Sequence, residues 1–242
     1  MEPGWTELGA QFHSACASLV NGRSALAPTD LKSGEVLISI PACLAISPGS
    51  KNPQPSERAG VRTIRDALQS VNLGLDHRSL NKLCTVVSLL HEMSLGKDSV
   101  LQSYVASLPT EFNTPLYWES TECELLAGSS INPAALVRAV TEYYERFFMP
   151  ICDSNSGMFS ESHSSRRSFF WAWSVVEAYG RFLTPMNGPH LVPFVHLFHL
   201  RPSSPNIEFS FDGSKFVVRV LRAVRSGDEV CGPVELLCAF LN

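Results

Sequence analysis

The amino-acid sequence predicts an α+β protein with strands near both ends of the chain and helices between them. Strand-like segments occupy 35–40 and 206–222, where apolar residues run together or alternate. The stretch between them has apolar residues at helical spacing, and a Pro-, Ser- and Gly-rich segment at 47–56 precedes it. We therefore expect three blocks of chain, with boundaries at 1–46, 47–165 and 166–242.

The composition limits the classes of function that are open to the chain. Of its 242 residues, 45% are hydrophobic and 17% are charged, which is enough apolar material for a packed core. The net charge of −4 gives no broad basic surface, so we expect no direct nucleic-acid partner. No apolar run approaches the ~20 residues that a membrane span needs, so we expect no membrane partner. The seven scattered cysteines include no Cys-x-x-Cys pair, which indicates reduced thiols in a nuclear or cytoplasmic protein.

The first block contains one clear strand. The run Glu35-Val-Leu-Ile-Ser-Ile40 follows the turn-like Lys32-Ser-Gly34. Pro41 comes next, and it has no N–H to donate to a neighbouring strand. The strand is therefore expected to end at Ile40.

The second block contains two well-marked helices. Apolar residues recur at helical spacing from Ser79 to Leu95, which predicts an amphipathic helix that Gly96 ends. Asn132 followed by Pro133 predicts the start of another helix, because Asn caps and Pro fits the first turn. Its broad apolar stripe is typical of a helix facing a core. The stripe comprises Leu136, Val137, Val140, Tyr143, Tyr144, Phe147 and Phe148.

The third block ends in a predicted β-hairpin. Asp212-Gly213 between two alternating runs is a strong hairpin signal. In the second strand, Phe216 and Val218 are expected on one face, while Val217 and Arg219 lie on the other.

Two histidines precede this hairpin, His196 and His199, and they admit two interpretations. A His-x-x-His pair suggests a metal site, but it needs a third ligand, and the nearest ones, His190 and Cys231, fit no zinc pattern. The alternative is a pair of structural histidines beside a core, and we favour this one.

Several segments carry motifs at the spacing of a known family. Residues 22–41 follow the family pattern "G-R-G-[LM]-x-A-x-x-x-[IL]-x-x-G-E-x-[LI]-[LI]-x-[IV]-P", with Ser24 at the second glycine. The segment Phe169-Phe-Trp-Ala-Trp-Ser-Val-Val176 follows the first eight positions of the family helix "F-x-W-A-x-x-x-V-N-[ST]-R". Leu191, Pro193, Phe194, Leu197 and Phe198 fit "L-x-P-[FY]-x-D-[LM]-[FL]-N-H-S". The chain therefore resembles the SET-domain protein-lysine methyltransferases with a helical insert, the group that includes the plastid Rubisco large-subunit methyltransferase and its animal relatives.

This resemblance implies a fold, a cofactor and a partner. The fold would be a SET-type β-clip core, split by the helical insert. The methyl donor would be S-adenosylmethionine, and the partner would be a lysine in a protein or peptide substrate. Donor contacts are carried over to Gly22, Arg23 and Ser24 in the first loop and to His199 in the Asn-His motif. Arg181 is added because it can replace the motif Arg if the preceding helix has ended at Gly180.

The chain departs from the family pattern where the chemistry takes place. Ser24 replaces a glycine, and His196 replaces the motif Asp; His199 matches the motif His only if the Asn is deleted, and otherwise it replaces the Asn. Glu177-Ala-Tyr179 occupies the "N-[ST]-R" slot, where a carboxylate would repel the donor's own carboxylate.

The catalytic Tyr of the family has no counterpart after the hairpin, so no catalytic residue is assigned. The segment Glu229-Val-Cys-Gly-Pro233 is also short, and we expect the closing strand of the core to be lost there. Two hypotheses follow from the sequence. The chain is either an S-adenosylmethionine-dependent protein-lysine methyltransferase or a non-catalytic SET-like module that binds a protein or peptide.

Overall fold

The computed structural model describes residues 3–13, 20–21, 24–48, 64, 66–68, 74–155, 157–183, 188–201 and 203–233. The chain divides into two compact units. We call residues 1–46 with 179–242 the core unit, and residues 47–178 the helical unit. The domain boundaries that the sequence suggested stay a prediction.

The described part of the core unit consists mainly of short strands. A helix, α1 (Pro3–Glu7), precedes them. The strands are β1 (Gln11–Phe12), β2 (Val20–Asn21), β3 (Ser24–Ala25), β4 (Val36–Pro41), β5 (Arg181–Phe182), β6 (Pro189–His190), β7 (His199–Leu200), β8 (Ile207–Phe211), β9 (Lys215–Val220) and β10 (Cys231–Gly232). Single 3₁₀ turns lie at Ala42–Leu44 and Val195–Leu197.

The largest sheet of the core unit has the strand order β1-β4-β9-β8, with antiparallel neighbours. Strand β4 forms where the sequence predicted it, one residue later at each end, and Leu37 to Ile40 are all buried. One neighbour of β4, β1, comes from the same block of the sequence, whereas the other, β9, comes from the third block. The sheet thus joins the two ends of the sequence in one core.

The predicted hairpin at Asp212-Gly213 is confirmed. Strands β8 and β9 pair from Ile207↔Val220 to Phe211↔Phe216. Gly213 takes a φ of 101°, which favours glycine, and Asp212 Oδ1 accepts hydrogen bonds from the amides of Ser214 and Lys215.

Three further strand pairs complete the core unit as described. Strands β2 and β3 pair antiparallel, as do β5 and β6, while β7 and β10 are parallel. The last pair corrects the sequence analysis, because Cys231 and Gly232 lie beside His199 and Leu200. The expectation that this closing strand is lost was wrong for these residues. The segment Glu229–Pro233 is short, but it is long enough for the two residues that pair with β7.

The helical unit contains α2 (His77–Leu95), α3 (Gln102–Ser107), α4 (Ser120–Glu124), α5 (Pro133–Tyr143), α6 (Met149–Ser154) and most of α7 (Arg166–Tyr179). A 3₁₀ turn at Gly96–Asp98 follows α2, and a π-helical turn at Tyr144–Phe148 joins α5 to α6. No helix among the described residues has both the length and the apolar character to cross a membrane.

Helix α2 begins and ends at recognisable capping residues but is not amphipathic. Asp76 Oδ1 accepts hydrogen bonds from the amides of Arg78 and Ser79, and Gly96 ends the helix with a φ of 54°. Residues 81–92 are buried on every side, including polar ones. The exposed face that an amphipathic helix implies is therefore wrong for residues 81–92.

Helix α5 begins as the sequence predicted, but its apolar stripe is buried only in part. Asn132 Oδ1 accepts a hydrogen bond of 3.0 Å from the Ala135 amide. Val140, Phe147 and Phe148 are buried, whereas Leu136 is 37% exposed, so the stripe reaches the core only beyond the first turns. Pro150 cannot donate a backbone hydrogen bond, and the π-helical turn accommodates that loss.

Candidate functional site

Three of the site residues inferred from the sequence belong to the first loop of the core unit. Ser24 lies in β3, where its backbone pairs with Asn21 of β2. Gly22 and Arg23 come between these two strands in the sequence and lie outside the described residues.

Arg181 lies in β5, beyond the end of the preceding helix. Helix α7 ends at Tyr179, so the condition under which Arg181 replaces the motif Arg is met. The side chain is 3% exposed, and its guanidinium lies 5.7 Å from the centroid of the Phe209 ring. Because Arg stays protonated in proteins, this places a positive charge inside the core unit.

Two buried histidines near Arg181 carry no charge at neutral pH. The backbone of Arg181 pairs with that of His190 across β5 and β6. Burial lowers the pKa of His190 to about 4, and burial together with the Arg181 charge lowers that of His196 to about 4. The Tyr179 ring packs edge-on against His196 at 6.0 Å, and burial raises the pKa of Tyr179. We call Tyr179, Arg181, His190, His196 and Phe209 the Arg181 cluster.

His199 lies at the surface and is held by a carboxylate. Its side chain is 51% exposed, and Nδ1 lies 2.7 Å from Glu229 Oε1. An ionised carboxylate only accepts hydrogen bonds, so the imidazole donates through Nδ1. Arg201 pairs with the other oxygen of Glu229. The His199 side chain, which the resemblance assigned as a contact of the methyl donor, is thus occupied by Glu229. The pairing of β7 with β10 brings His199, Arg201 and Glu229 together.

Asn206 is a site-positioning residue that the sequence analysis missed. Its side chain is buried, with Nδ2 donating to the Glu229 carbonyl at 2.7 Å and Oδ1 accepting from the Cys231 amide at 2.8 Å. Its own amide donates to the Cys231 carbonyl. Asn206 therefore fixes the backbone that carries Glu229 and begins β10. A polar residue directly before a predicted strand was the available signal.

Gly232 allows the Phe209 ring to approach β10. A Cβ added at Gly232 would lie 2.5 Å from two carbon atoms of that ring. The same ring lies beside the Arg181 guanidinium. The absence of a side chain at Gly232 is therefore part of how the Arg181 cluster is packed.

Glu177, expected to repel the donor's carboxylate, is neutralised by a partner within the helical unit. Its carboxylate pairs with the ammonium of Lys82, which also lies 3.9 Å from the centroid of the Trp173 ring. Burial lowers the pKa of Lys82 to about 7, while pairing with Glu177 favours the protonated form. The two groups are in direct contact, so they form an ion pair whenever Lys82 is protonated.

Four of the five tyrosines, all but Tyr179, belong to the helical unit. No tyrosine follows Tyr179 in the sequence. Among the residues that the structure describes, no group of three His, Cys, Asp or Glu side chains is placed to hold a metal ion.

Comparison with known proteins gave matches to solved structures alone. Neither models of protein families nor curated proteins matched the chain. The SET domain of LSMT bound to lysine and AdoHcy matches with a TM-score of 0.71 at 20% identity, over 98% of this chain and 54% of that one. Rubisco LSMT bound to AdoMet matches with a TM-score of 0.63 at 17% identity, over 94% and 48%.

The chain has the SET-domain fold. A third structure, Rubisco LSMT bound to sinefungin and monomethyllysine, matches with a TM-score of 0.64 at 17% identity over 98% of this chain. The α+β fold class with a SET core and a helical region is therefore confirmed. The chain spans about half the length of these solved structures, 53% of the third one. The roles of Gly22, Arg23, Ser24, Arg181 and His199 stay predictions.

Proposed function

We propose that this chain binds S-adenosylmethionine and a lysine side chain of a protein or peptide, as a SET-type protein-lysine N-methyltransferase. The observation that carries the proposal is the match to SET-domain structures over 94–98% of the chain. Those structures contain AdoHcy with lysine in one case and AdoMet in another.

The Arg181 cluster fits one end of such a donor. S-adenosylmethionine carries a carboxylate, and a buried guanidinium is the side chain best suited to bind one. Their pKa of about 4 makes His190 and His196 uncharged polar groups at pH 7. The first loop, with Gly22, Arg23 and Ser24, and His199 are the other candidate contacts.

The donor, when bound, supplies a methyl group on a sulfonium, and the acceptor must be an unprotonated amine. A SET-type protein contributes by binding and orienting the two groups and by excluding water. Within the core unit, Arg181 would hold the carboxylate end of the donor, and Asn206 fixes the backbone of β10. Tyr179 is the one tyrosine of the core unit, and burial keeps its phenol protonated.

A second candidate function is binding without methyl transfer. Two observations favour it: Glu229 holds the His199 side chain, and no tyrosine follows β9 in the sequence. In this case the chain would act as a SET-like module that recognises a lysine-containing protein or peptide.

Calorimetric titration with S-adenosylmethionine tests donor binding. We expect saturable heat with the wild-type chain and a loss of at least about tenfold in affinity, about 1.4 kcal/mol, for Arg181→Gln. Arg219→Gln is the matched control, because Arg219 is a half-exposed arginine on β9 of the same unit. Circular dichroism verifies folding of each variant. A folded wild-type chain that gives no heat at high micromolar donor would refute donor binding.

A transfer assay separates the two candidate functions. The chain is incubated with donor carrying a radiolabelled methyl group and with cell extract as the source of protein lysines. Label on lysine that depends on the chain supports the methyltransferase, whereas donor binding without any label supports the non-catalytic module.

We also place the protein in the nucleus or the cytoplasm. The five described cysteines, Cys43, Cys84, Cys123, Cys152 and Cys231, are free. Free thiols are what a reducing compartment maintains.

A further inference from the structure

One part of the helical unit leaves apolar side chains in water. Between α4 and the middle of α5, Leu125 is 85% exposed and Ile131 is 44% exposed. Within α5 itself, Val140 is the one buried residue. Helices α2 and α7 differ, because their apolar residues are largely buried. An exposed apolar surface of this kind marks an interaction site.

A groove of about 1000 Å³ runs between α4 and α5 within the helical unit. Its apolar wall consists of Trp118, Cys123, Pro133, Ala134 and Val137. Lining residues extend along α5 and the π-helical turn from Asn132 to Arg146, a length of about 21 Å at the rise of a helix. That length matches about four turns of a second helix laid alongside.

The groove is lined by charges of both signs, and one row of them alternates in sign. Arg138, Glu142 and Arg146 line it at a spacing of four residues, which places them in one row along the helix. Glu142 and Arg146 lie 3.2 Å apart and are both largely exposed, so their pairing is weak and can be replaced. At the far side, Arg166 donates to Thr141 Oγ1 at 2.6 Å, which anchors that guanidinium.

This pattern distinguishes between possible occupants. A ligand of one charge sign would meet repulsion within the row, from Glu142 for a phosphate and from Arg138 and Arg146 for a polybasic segment. A second copy of α5 packed antiparallel about Glu142 would place like charges opposite each other at every position of the row. A helix whose own row reads acidic, basic, acidic would meet an opposite charge at each position, in either direction.

We propose that the α4–α5 groove is a docking site for an amphipathic helix of a partner protein, with an apolar stripe flanked by an acidic-basic-acidic row at four-residue spacing. The stripe would cover Trp118 and Val137, as in other helix-in-groove complexes. The row would pair with Arg138, Glu142 and Arg146. This inference is independent of methyl transfer.

A synthetic helix tests the proposal without knowledge of the natural partner. The probe is a labelled peptide of about 18 residues, or about 27 Å of helix, with a leucine stripe and a Glu-Lys-Glu row. A twin peptide carries Lys-Glu-Lys in the same row. Fluorescence anisotropy with the full chain is expected to show saturable binding of the probe, and binding of the twin at least about tenfold weaker.

Variants of the chain locate the binding in the groove. Val137→Glu is expected to weaken probe binding at least about tenfold, because it places a charge in the apolar wall. Leu136→Glu, one residue away on α5 and outside the groove lining, is the matched control and is expected to leave binding unchanged. Arg138→Glu is expected to shift the preference from the probe towards the twin.

Four results would overturn the proposal. The first two are the absence of saturable probe binding below about 1 mM and an equal affinity of the chain for probe and twin. The third is an equal loss of probe affinity in Val137→Glu and Leu136→Glu. The fourth is a wild-type dimer that Val137→Glu converts to a monomer in sedimentation. The last result would show that a second copy occupies the groove.

Discussion

Each unit has a buried cation beside an aromatic ring, but these two cations have different neighbours. In the helical unit, Lys82 lies over Trp173 and pairs with the carboxylate of Glu177. In the core unit, Arg181 lies beside Phe209, and His196 next to it is held neutral. In the first arrangement a carboxylate offsets the buried charge, whereas in the second the buried charge lies beside an aromatic ring and helps to lower the pKa of a nearby imidazole.

This difference separates a structural role from a binding role. A lysine neutralised by its own partner gains nothing from a further anion, so Lys82 and Glu177 serve to join α2 and α7. A guanidinium can bind a carboxylate through two parallel hydrogen bonds, and this chemistry suits Arg181 to the donor site proposed for the core unit. The comparison also predicts that the two units respond differently to pH and to mutation.

The largest expected effect is an acid loss of stability that is greater in the core unit than in the helical unit. His190 and His196 have a folded pKa of about 4 against an ordinary value of 6.5. Between these values the unfolded chain binds protons that the folded unit does not, so the free energy of unfolding falls as the pH drops from 6.5 to 4. The loss is at most about 3 kcal/mol for each imidazole.

Hydrogen exchange from pH 7 to pH 4.5 measures this effect in each unit separately. The amides of β4, β8 and β9 are expected to lose protection relative to those of α2, after correction for the intrinsic pH dependence of exchange. His190→Gln removes one titrating group, so it is expected to halve the slope in the core unit and leave α2 unchanged. Equal loss in both units would contradict the comparison.

A smaller effect is expected when the ion pair of the helical unit is broken from one side. Glu177→Gln leaves the Lys82 ammonium buried without its carboxylate, which is expected to cost about 3 kcal/mol at pH 6. Lys82→Met leaves a carboxylate that is 39% exposed and can be hydrated, so the expected cost is below about 1.5 kcal/mol.

The pH dependence of the Glu177→Gln variant checks the cause. A neutral Lys82 amine needs no carboxylate, so the difference from the wild-type chain in urea unfolding is expected to shrink between pH 6 and pH 9. A difference that stays constant over this range, or equal costs for the two variants, would show that packing rather than charge dominates.

Local sequence signals predicted the turns and helix ends, because these features depend on residues that are close together in the sequence. Asp212-Gly213 predicted the hairpin because its turn chemistry lies within four residues, and Gly96 and Asn132 marked helix ends for the same reason. Motif spacing predicted the SET fold, since nearly the whole chain carries the pattern.

Contacts between distant residues explain what the sequence did not predict. Lys82 and Glu177 are separated by most of the helical unit, so α2 was assigned an exposed face that does not exist. Asn206 acts on Glu229 and Cys231 through hydrogen bonds that only the folded sheet creates. Of the site residues, Arg181 was suggested by its place after Gly180, but its burial against Phe209 depends on β8.

The smallest expected effect concerns the packing of the Arg181 cluster itself. In Gly232→Ala, the new methyl group would lie 2.5 Å from the Phe209 ring, so the ring must move. Overpacking of this kind is expected to cost about 2 kcal/mol. Because the ring also lies beside Arg181, the variant is expected to weaken S-adenosylmethionine binding while Glu177→Gln leaves it unchanged. Calorimetric titration measures the affinity of both folded variants for S-adenosylmethionine. Equal affinities would show that the position of the Phe209 ring does not affect the proposed donor site.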